Sequence, residues 1–230
     1  MPKLKVQLHV HCKEDPIDNV KLNARQIIDH AAKLNYDVLA ITCHNVVIFN
    51  QELKDYAEKK RILLIPGIEK SIENKHVVIL NADIHAQKIQ NFEALKKYRQ
   101  DKPDCFIIAA HPYFPALISL GKKFDLHHEL FDAVEYSWFH SKHFNNFNKK
   151  AKISAEKYRL PLLCTSDNHL YQFFDYSYSF IDSDKNTKSI FEAIRANKID
   201  IISHDLKWWL IPYVYAKMTI LEIIKKVILK

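Results

Sequence analysis

The stretch Leu8–Asp15, LHVHCKED, sets two histidines one residue apart at the end of an apolar segment that begins at Leu4. In an extended strand residues i and i+2 point to one face, so the imidazoles of His9 and His11 converge on a common point. A metal ion suits such a pair, but it needs further ligands from elsewhere in the chain. The reading therefore turns on whether other strands end in the same way.

Short runs rich in Val, Ile and Leu recur along the chain, separated by longer segments of helical period, as in β/α units around a parallel sheet. Strands are predicted at 4–10, 37–42, 62–66, 76–80, 105–110, 133–136 and 161–165. Helices are predicted at about 51–60, 85–99, 144–159 and 187–197, and one stripe of Ala24, Ile27, Ile28, Ala31 and Ala32 starts behind Asn23 as N-cap. Polar residues competent to bind metal fall just after these strands: His44 in ITCHN, Glu69 in PGIE, His111 in AAHP, and Asp167 with His169 in CTSDNH. In a parallel barrel the carboxyl ends of the strands share one face, so residues distant in sequence meet in one pocket.

The 230 residues, 48% of them hydrophobic, suffice for one large domain, and the net charge of +7 favours anionic partners without establishing nucleic-acid binding. Four cysteines with no C-x-x-C pair, and a start without a long apolar core, point to a cytoplasmic protein with reduced thiols. No stretch approaches the roughly 20 apolar residues of a membrane span. Residues 206–230 read as an apolar and basic helical tail behind a domain at 1–205. Its stripe of Ile220, Leu221, Ile224, Val227 and Ile228 suits docking on the barrel or homo-oligomer contact, with a membrane-surface helix as the lesser reading.

The ordered set LHVH, ITCHN, PGIEKSIENKHVVIL, AAHP, VEYS and CTSDNH resembles the PHP (polymerase and histidinol phosphatase) superfamily, especially its small stand-alone phosphoesterases. The resemblance covers residues 4–169 and implies a single-domain, distorted seven-stranded β/α barrel. It also implies two or three divalent metal ions, of which Zn, Mn or Fe suits mixed imidazole and carboxylate ligation. Matched motif by motif, the implied ligands are His9, His11, His44, Glu69, His76, His111, Asp167 and His169, with Asp15 following H-x-H and Asp18 competing for that place. Cys43 stands where the family has Asp, and Thr165 where it has Gly. A thiol beside His44 predicts sensitivity to oxidation and to soft metals, and predicts that Cys43→Asp leaves Mn-dependent activity level or raises it.

The chemistry implied is phosphate ester hydrolysis of a small phosphorylated metabolite or nucleotide. The attacking group is a metal-activated hydroxide, and no protein nucleophile is assigned. Three ions against the carboxylates of Asp15, Glu69 and Asp167 would leave the cluster near +3 by rough count. Lys13, Lys70 and the SWFHSKH loop, with His140 foremost, are candidate outer contacts to substrate. The alternatives are an amidohydrolase-like C–N hydrolase, which also opens with H-x-H, and a catalytically weak nucleic-acid-associated module, for which no arginine-rich run speaks.

Overall fold

The computed structural model describes residues 2–217. The predicted alternation runs through most of the chain. β1 (Lys3–Gln7), α1 (Ala24–Lys33), β2 (Val38–Ile41) and α2 (Gln51–Lys59) lead to β3 (Leu63–Ile72), which turns directly into β4 (Lys75–Leu80). There follow α3 (Phe92–Asp101), β5 (Phe106–Ala109), α4 (Lys122–His127), β6 (Ala133–Tyr136), α5 (Asn146–Tyr158) and β7 (Leu162–Cys164). Two further strands, β8 (Ser177–Asp182) and β9 (Ile199–Ser203), flank α6 (Thr187–Arg195).

Asparagine marks many of the boundaries. Asn23, Asn50, Asn91 and Asn186 each accept a hydrogen bond from the first turn of the following helix, and Asn23 with Gln26 forms a capping box. Asn91 also explains why the helix expected at 85–99 is split, because its cap restarts the chain after a 3₁₀ turn at Ile84–Lys88. The sequence holds only two glycines, so left-handed turns after helices fall to Asn35, Arg61, Arg159 and Asn197. Asn tolerates that conformation through its short polar side chain.

The strands form one sheet in the order β7-β6-β5-β4-β3-β2-β1-β8-β9, a nearly closed barrel in a mixed α/β fold. The expectation of seven parallel strands is corrected here: the described residues form nine, and four of the eight pairings are antiparallel. β3 and β4 are joined through Glu73 and Asn74, both with positive φ, and so short a turn can join only antiparallel neighbours. β8 escapes the sequence reading because its inward positions alternate Ser177, Ser179 and Ile181, so burial is not matched by hydrophobicity. Those serines have work at the seam. The Cys164 amide donates to Ser179 Oγ at 3.0 Å, and that hydroxyl donates to the Cys164 carbonyl at 2.8 Å, so a side chain links β7 to β8 where no ladder does.

Val6, Val38, Ile65, Val78, Ile108 and Leu163 fill an inner core into which α6 inserts Ile190, Phe191 and Ile194. Separate apolar layers seat α1 and α2 on one flank and α3 and α5 on another. Gly67 lets β3 pass close to β2, since a Cβ there would stand 2.7 Å from Thr42 Cγ2. Beyond β9, Leu206 and Val214 are buried against Trp138 and Phe173, and residues 210–217 are helical. The predicted stripe from Ile220 to Ile228 lies outside the described residues. Among the described residues no helix is long and apolar enough to cross a membrane.

Candidate metal centre

The extended chain continues past β1, held to the segment after β2 by Val10 and Thr42, whose backbone and side chain exchange hydrogen bonds. Leu8, Val10 and Cys12 therefore turn to apolar surroundings, while His9 and His11 turn together the other way with ring centroids 5.3 Å apart. Glu69 lies within β3 rather than after it, on the half of the strand that outruns β2 and pairs with β4. His76 enters from the start of β4, whose reversed direction brings its first residues to the same face. His111 and Asp167, just past β5 and β7, adopt φ of 29° and 41°. Such backbone conformations are costly for non-glycine residues and collect at functional sites.

All nine residues of the expected ligand set gather here, eight of them around the centre and Asp15 behind the rings of His11 and His44. His9 Nε2 lies 3.4 Å from Glu69 Oε1 and 3.4 Å from Asp167 Oδ1, and His11 Nε2 lies 3.4 Å from Glu69 Oε2 and 3.2 Å from Asp167 Oδ1. Donors around one tetrahedral ion at about 2.0–2.1 Å would stand roughly 3.3–3.4 Å apart. His9 Nε2 and Glu69 Oε2 are buried yet make no hydrogen bond, although their neighbours are near, because the atoms aim at common points rather than at one another. Glu69 faces His9, His76 and His111 with Oε1, and His11 and His44 with Oε2. The donor set thus fits a cluster of divalent ions. A further group is formed by Asp18, whose Oδ2 is 2.8 Å from His169 Nε2 and 3.3 Å from His44 Nδ1.

Carboxylates behind the rings decide which nitrogen faces the cluster. Asp15 Oδ2 stands 2.9 Å from His11 Nδ1 and 3.0 Å from His44 Nδ1, and accepts the His44 amide at 2.7 Å. Glu135 Oε1 stands 2.8 Å from His9 Nδ1 and accepts from the Thr165 hydroxyl, while its Oε2 accepts the His111 amide at 2.7 Å. A proton held on Nδ1 by a carboxylate leaves Nε2 as a lone pair, the form that ligates metal. Glu135 belongs to the VEYS segment and is absent from the expected ligand set. Its signal in sequence is weak, because a lone acid inside a strand does not say which ring it backs. Thr165, a departure from the family pattern, supplies a donor that glycine could not.

Burial prevails at His76, which is held below its ordinary value, whereas at the groups that follow burial also opposes charge but the facing partners outweigh it. His9 and His44 are held well above their ordinary value, His169 is raised to about 10 by Asp18 and Asp167, and Asp18 is lowered to about 2 by His169 and His44. Glu69 and Asp167 lie well below the usual carboxylate range. Without metal the cluster therefore holds protons between rings and carboxylates, which are the protons that metal ligation displaces.

Two expectations shift. His140 is buried with Nδ1 3.0 Å from Asp205 and Nε2 2.7 Å from Ser203 Oγ, and the cleft is lined instead by its neighbours Ser137, Trp138 and Phe139. Cys43 does not border the donor atoms. It is fully buried in the apolar layer under α1, with its sulfur 3.2 Å from that of Cys12. Hydrogen bonding to Cys43 and burial raise the Cys12 thiol, and a buried thiol of this kind is inert rather than reactive. The expected benefit of Cys43→Asp is withdrawn for the same reason, since a carboxylate there would be buried among apolar groups.

The cluster forms the floor of an open cleft of about 660 Å³. No family model matches the sequence, and no curated protein matches it. Among solved structures, a two-domain protein from Bacteroides vulgatus, described as containing a predicted PHP-like metal-dependent phosphoesterase, superposes with a TM-score of 0.64 at 17% identity over 88% of this chain. The lesion-specific endonuclease of Pyrococcus furiosus gives 0.62 at 16% over 87%, and an amidohydrolase of Chromobacterium violaceum gives 0.56 at 14% over 85%. The chain spans 65% and 58% of the first two proteins and 97% of the third. With its ordered histidines and acids gathered on one barrel face, the chain has the fold of the PHP-like metal-dependent phosphoesterases.

Proposed function

We propose that the chain is a metal-dependent hydrolase that cleaves phosphate esters at a centre of two or three divalent ions. The observation that carries this reading is the spacing of imidazole and carboxylate atoms of His9, His11, Glu69 and Asp167, 3.2–3.4 Å apart on the floor of an open cleft. Glu69 would hold metal together with His9, His11, His44, His76, His111 and Asp167, Asp18 with His169 would hold a further ion, and Asp15 would act as a positioning carboxylate behind His11 and His44.

When bound, the ions supply a lowered water pKa and positive charge for the phosphate oxygens. Asp15 and Glu135 keep the Nδ1 protons in place and so keep Nε2 of His9, His11 and His44 directed at the centre. Counting Asp18 and Glu135, five carboxylates face at most six positive charges, so a cluster charge near +3 is too high. Attraction for phosphate then comes from arrangement: the carboxylates Asp15 and Glu135 stand behind the rings, and the ions would face the opening.

Metal analysis of the purified protein, followed by phosphate release across nucleotides and sugar phosphates, tests this reading. Chelation should abolish release, and faster hydrolysis of amides under the same metal conditions would overturn it. A nucleic-acid substrate draws support from the endonuclease neighbour and the net charge of +7. Against it, no lysine or arginine among the described residues lines the cleft.

A further inference from the structure

The cleft has two unlike linings. Besides the imidazole and carboxylate floor the cleft is lined by Phe114, Leu117, Ile118, Trp138, Phe139 and Tyr215, drawn from the loop after His111, the loop after β6 and the helical residues 210–217. Leu117 is 92% exposed, Ile118 41% and Tyr215 60%, so large apolar groups are held in water directly beside a polar centre. An apolar patch rimming a polar cleft marks a surface that is covered when the site is filled. Its aromatic members are braced: Phe114 meets Phe139 edge-on at 5.8 Å, and Trp138 stacks on Phe173 at 5.4 Å.

Among the described residues no lysine or arginine lines the cleft itself, while Lys75, Lys122, Lys123 and Lys150 line a neighbouring groove that shares Phe114 and Leu117 with it. Lys70 is nearly buried and donates to Asn45 Oδ1 at 3.0 Å, and Lys75 donates to the Leu117 carbonyl at 2.6 Å. Among the described lining residues, then, no lysine or arginine stands ready for a second anionic group, and the histidines belong to the proposed centre.

We propose that the cleft takes a phosphate ester whose leaving group is aromatic or otherwise apolar and carries no second charge. The proposal rests on the phosphoesterase reading and deepens it. Water forms the new P–O bond, the bond from phosphorus to the leaving oxygen breaks, and that oxygen ends protonated as an alcohol beside inorganic phosphate. The apolar part of the alcohol lies on Phe114, Leu117 and Tyr215 while its phosphate lies on the floor.

The test uses the full chain loaded with Mn²⁺. Phenylphosphonate and methylphosphonate have the same charged head and no cleavable ester, so calorimetric binding separates recognition from turnover. Burial of a phenyl group predicts affinity about 10-fold or more in favour of phenylphosphonate. The double variant Leu117→Ser, Ile118→Ser, both exposed residues, should move that ratio toward one. In turnover, adenosine 5′-monophosphate should exceed ribose 5-phosphate in kcat/KM, although both leave through the same kind of alkoxide, and adenosine 3′,5′-bisphosphate should fall below the monophosphate. Equal affinity for the two phosphonates, or preference for the bisphosphate, would overturn the proposal while leaving the phosphoesterase reading intact. Failure of both phosphonates to bind, with no phosphate released from any ester, would overturn both.

Discussion

The floor and the rim of the cleft are built on opposite principles. On the floor, His9, His11 and His44 each meet a carboxylate at Nδ1, and these groups are buried. On the rim, Leu117, Ile118 and Tyr215 stand open to water beside the buried and mutually packed rings of Trp138 and Phe139. Precision is needed on one side and not on the other. A metal centre fails if a donor moves by a fraction of an ångström, so it is held from behind by charge-assisted hydrogen bonds, whereas an apolar contact tolerates displacement.

The floor is most vulnerable at Asp167, whose oxygen lies near both His9 and His11. Asp167→Asn should strip most bound metal and abolish phosphate release with the far-ultraviolet dichroism unchanged, and full metal content in this variant would refute its assignment. Next in size is Cys43→Asp, on the opposite face of the segment that carries His44. A carboxylate buried beside Cys12 should cost roughly 3 kcal/mol or more of stability, read as a lower melting midpoint, while Cys43→Ser costs less. An unchanged midpoint would mean that the side chain reaches solvent or a cation.

Glu135→Gln separates floor from rim without removing a proposed ligand. Loss of the charge behind His9 should weaken metal binding about 10- to 100-fold, as is typical for partners of ligating histidines. A rim variant such as Leu117→Ser should leave metal affinity alone, so equal effects of the two on metal binding would erase the distinction.

Titration of the metal-free protein isolates the floor. His169 is raised from 6.5 to about 10, so its contribution to stability is complete below pH 6.5 and disappears as pH rises toward 10. Asp18 is lowered from 3.8 to about 2, so its contribution is present above pH 3.8 and is lost as pH falls through 2. The melting midpoint without metal should therefore be highest between about pH 4 and 6.5 and decline on the alkaline side, where added Mn²⁺ restores it. A flat alkaline profile without metal would contradict the paired arrangement. The smallest expected effect belongs to Thr165→Val, which removes one donor to Glu135 and should cost about 1–2 kcal/mol in stability, with a correspondingly slight loss of metal affinity.

Much of the site is legible in the sequence. Period-two geometry puts His9 and His11 on one face, and the position of His44, Glu69, His111, Asp167 and His169 after apolar runs puts them at one end of a barrel. Asn23 as a cap can be read from one residue and its successor helix. These inferences succeed because the periodicity of a strand or helix is local, and local chemistry is written in adjacent residues. What the chain alone leaves undecided depends on contacts between distant segments. Only the folded barrel separates Asp15, behind His11 and His44, from Asp18, which reaches His169, although the two acids are three residues apart. Only packing turns Cys43 away from the donors and Glu135 toward His9, and only the seam shows why β8 buries serines. Burial and partner choice arise from residues more than a hundred positions apart, as His9 and Glu135 are, and hydrophobic pattern carries no record of which distant surface a polar side chain will meet.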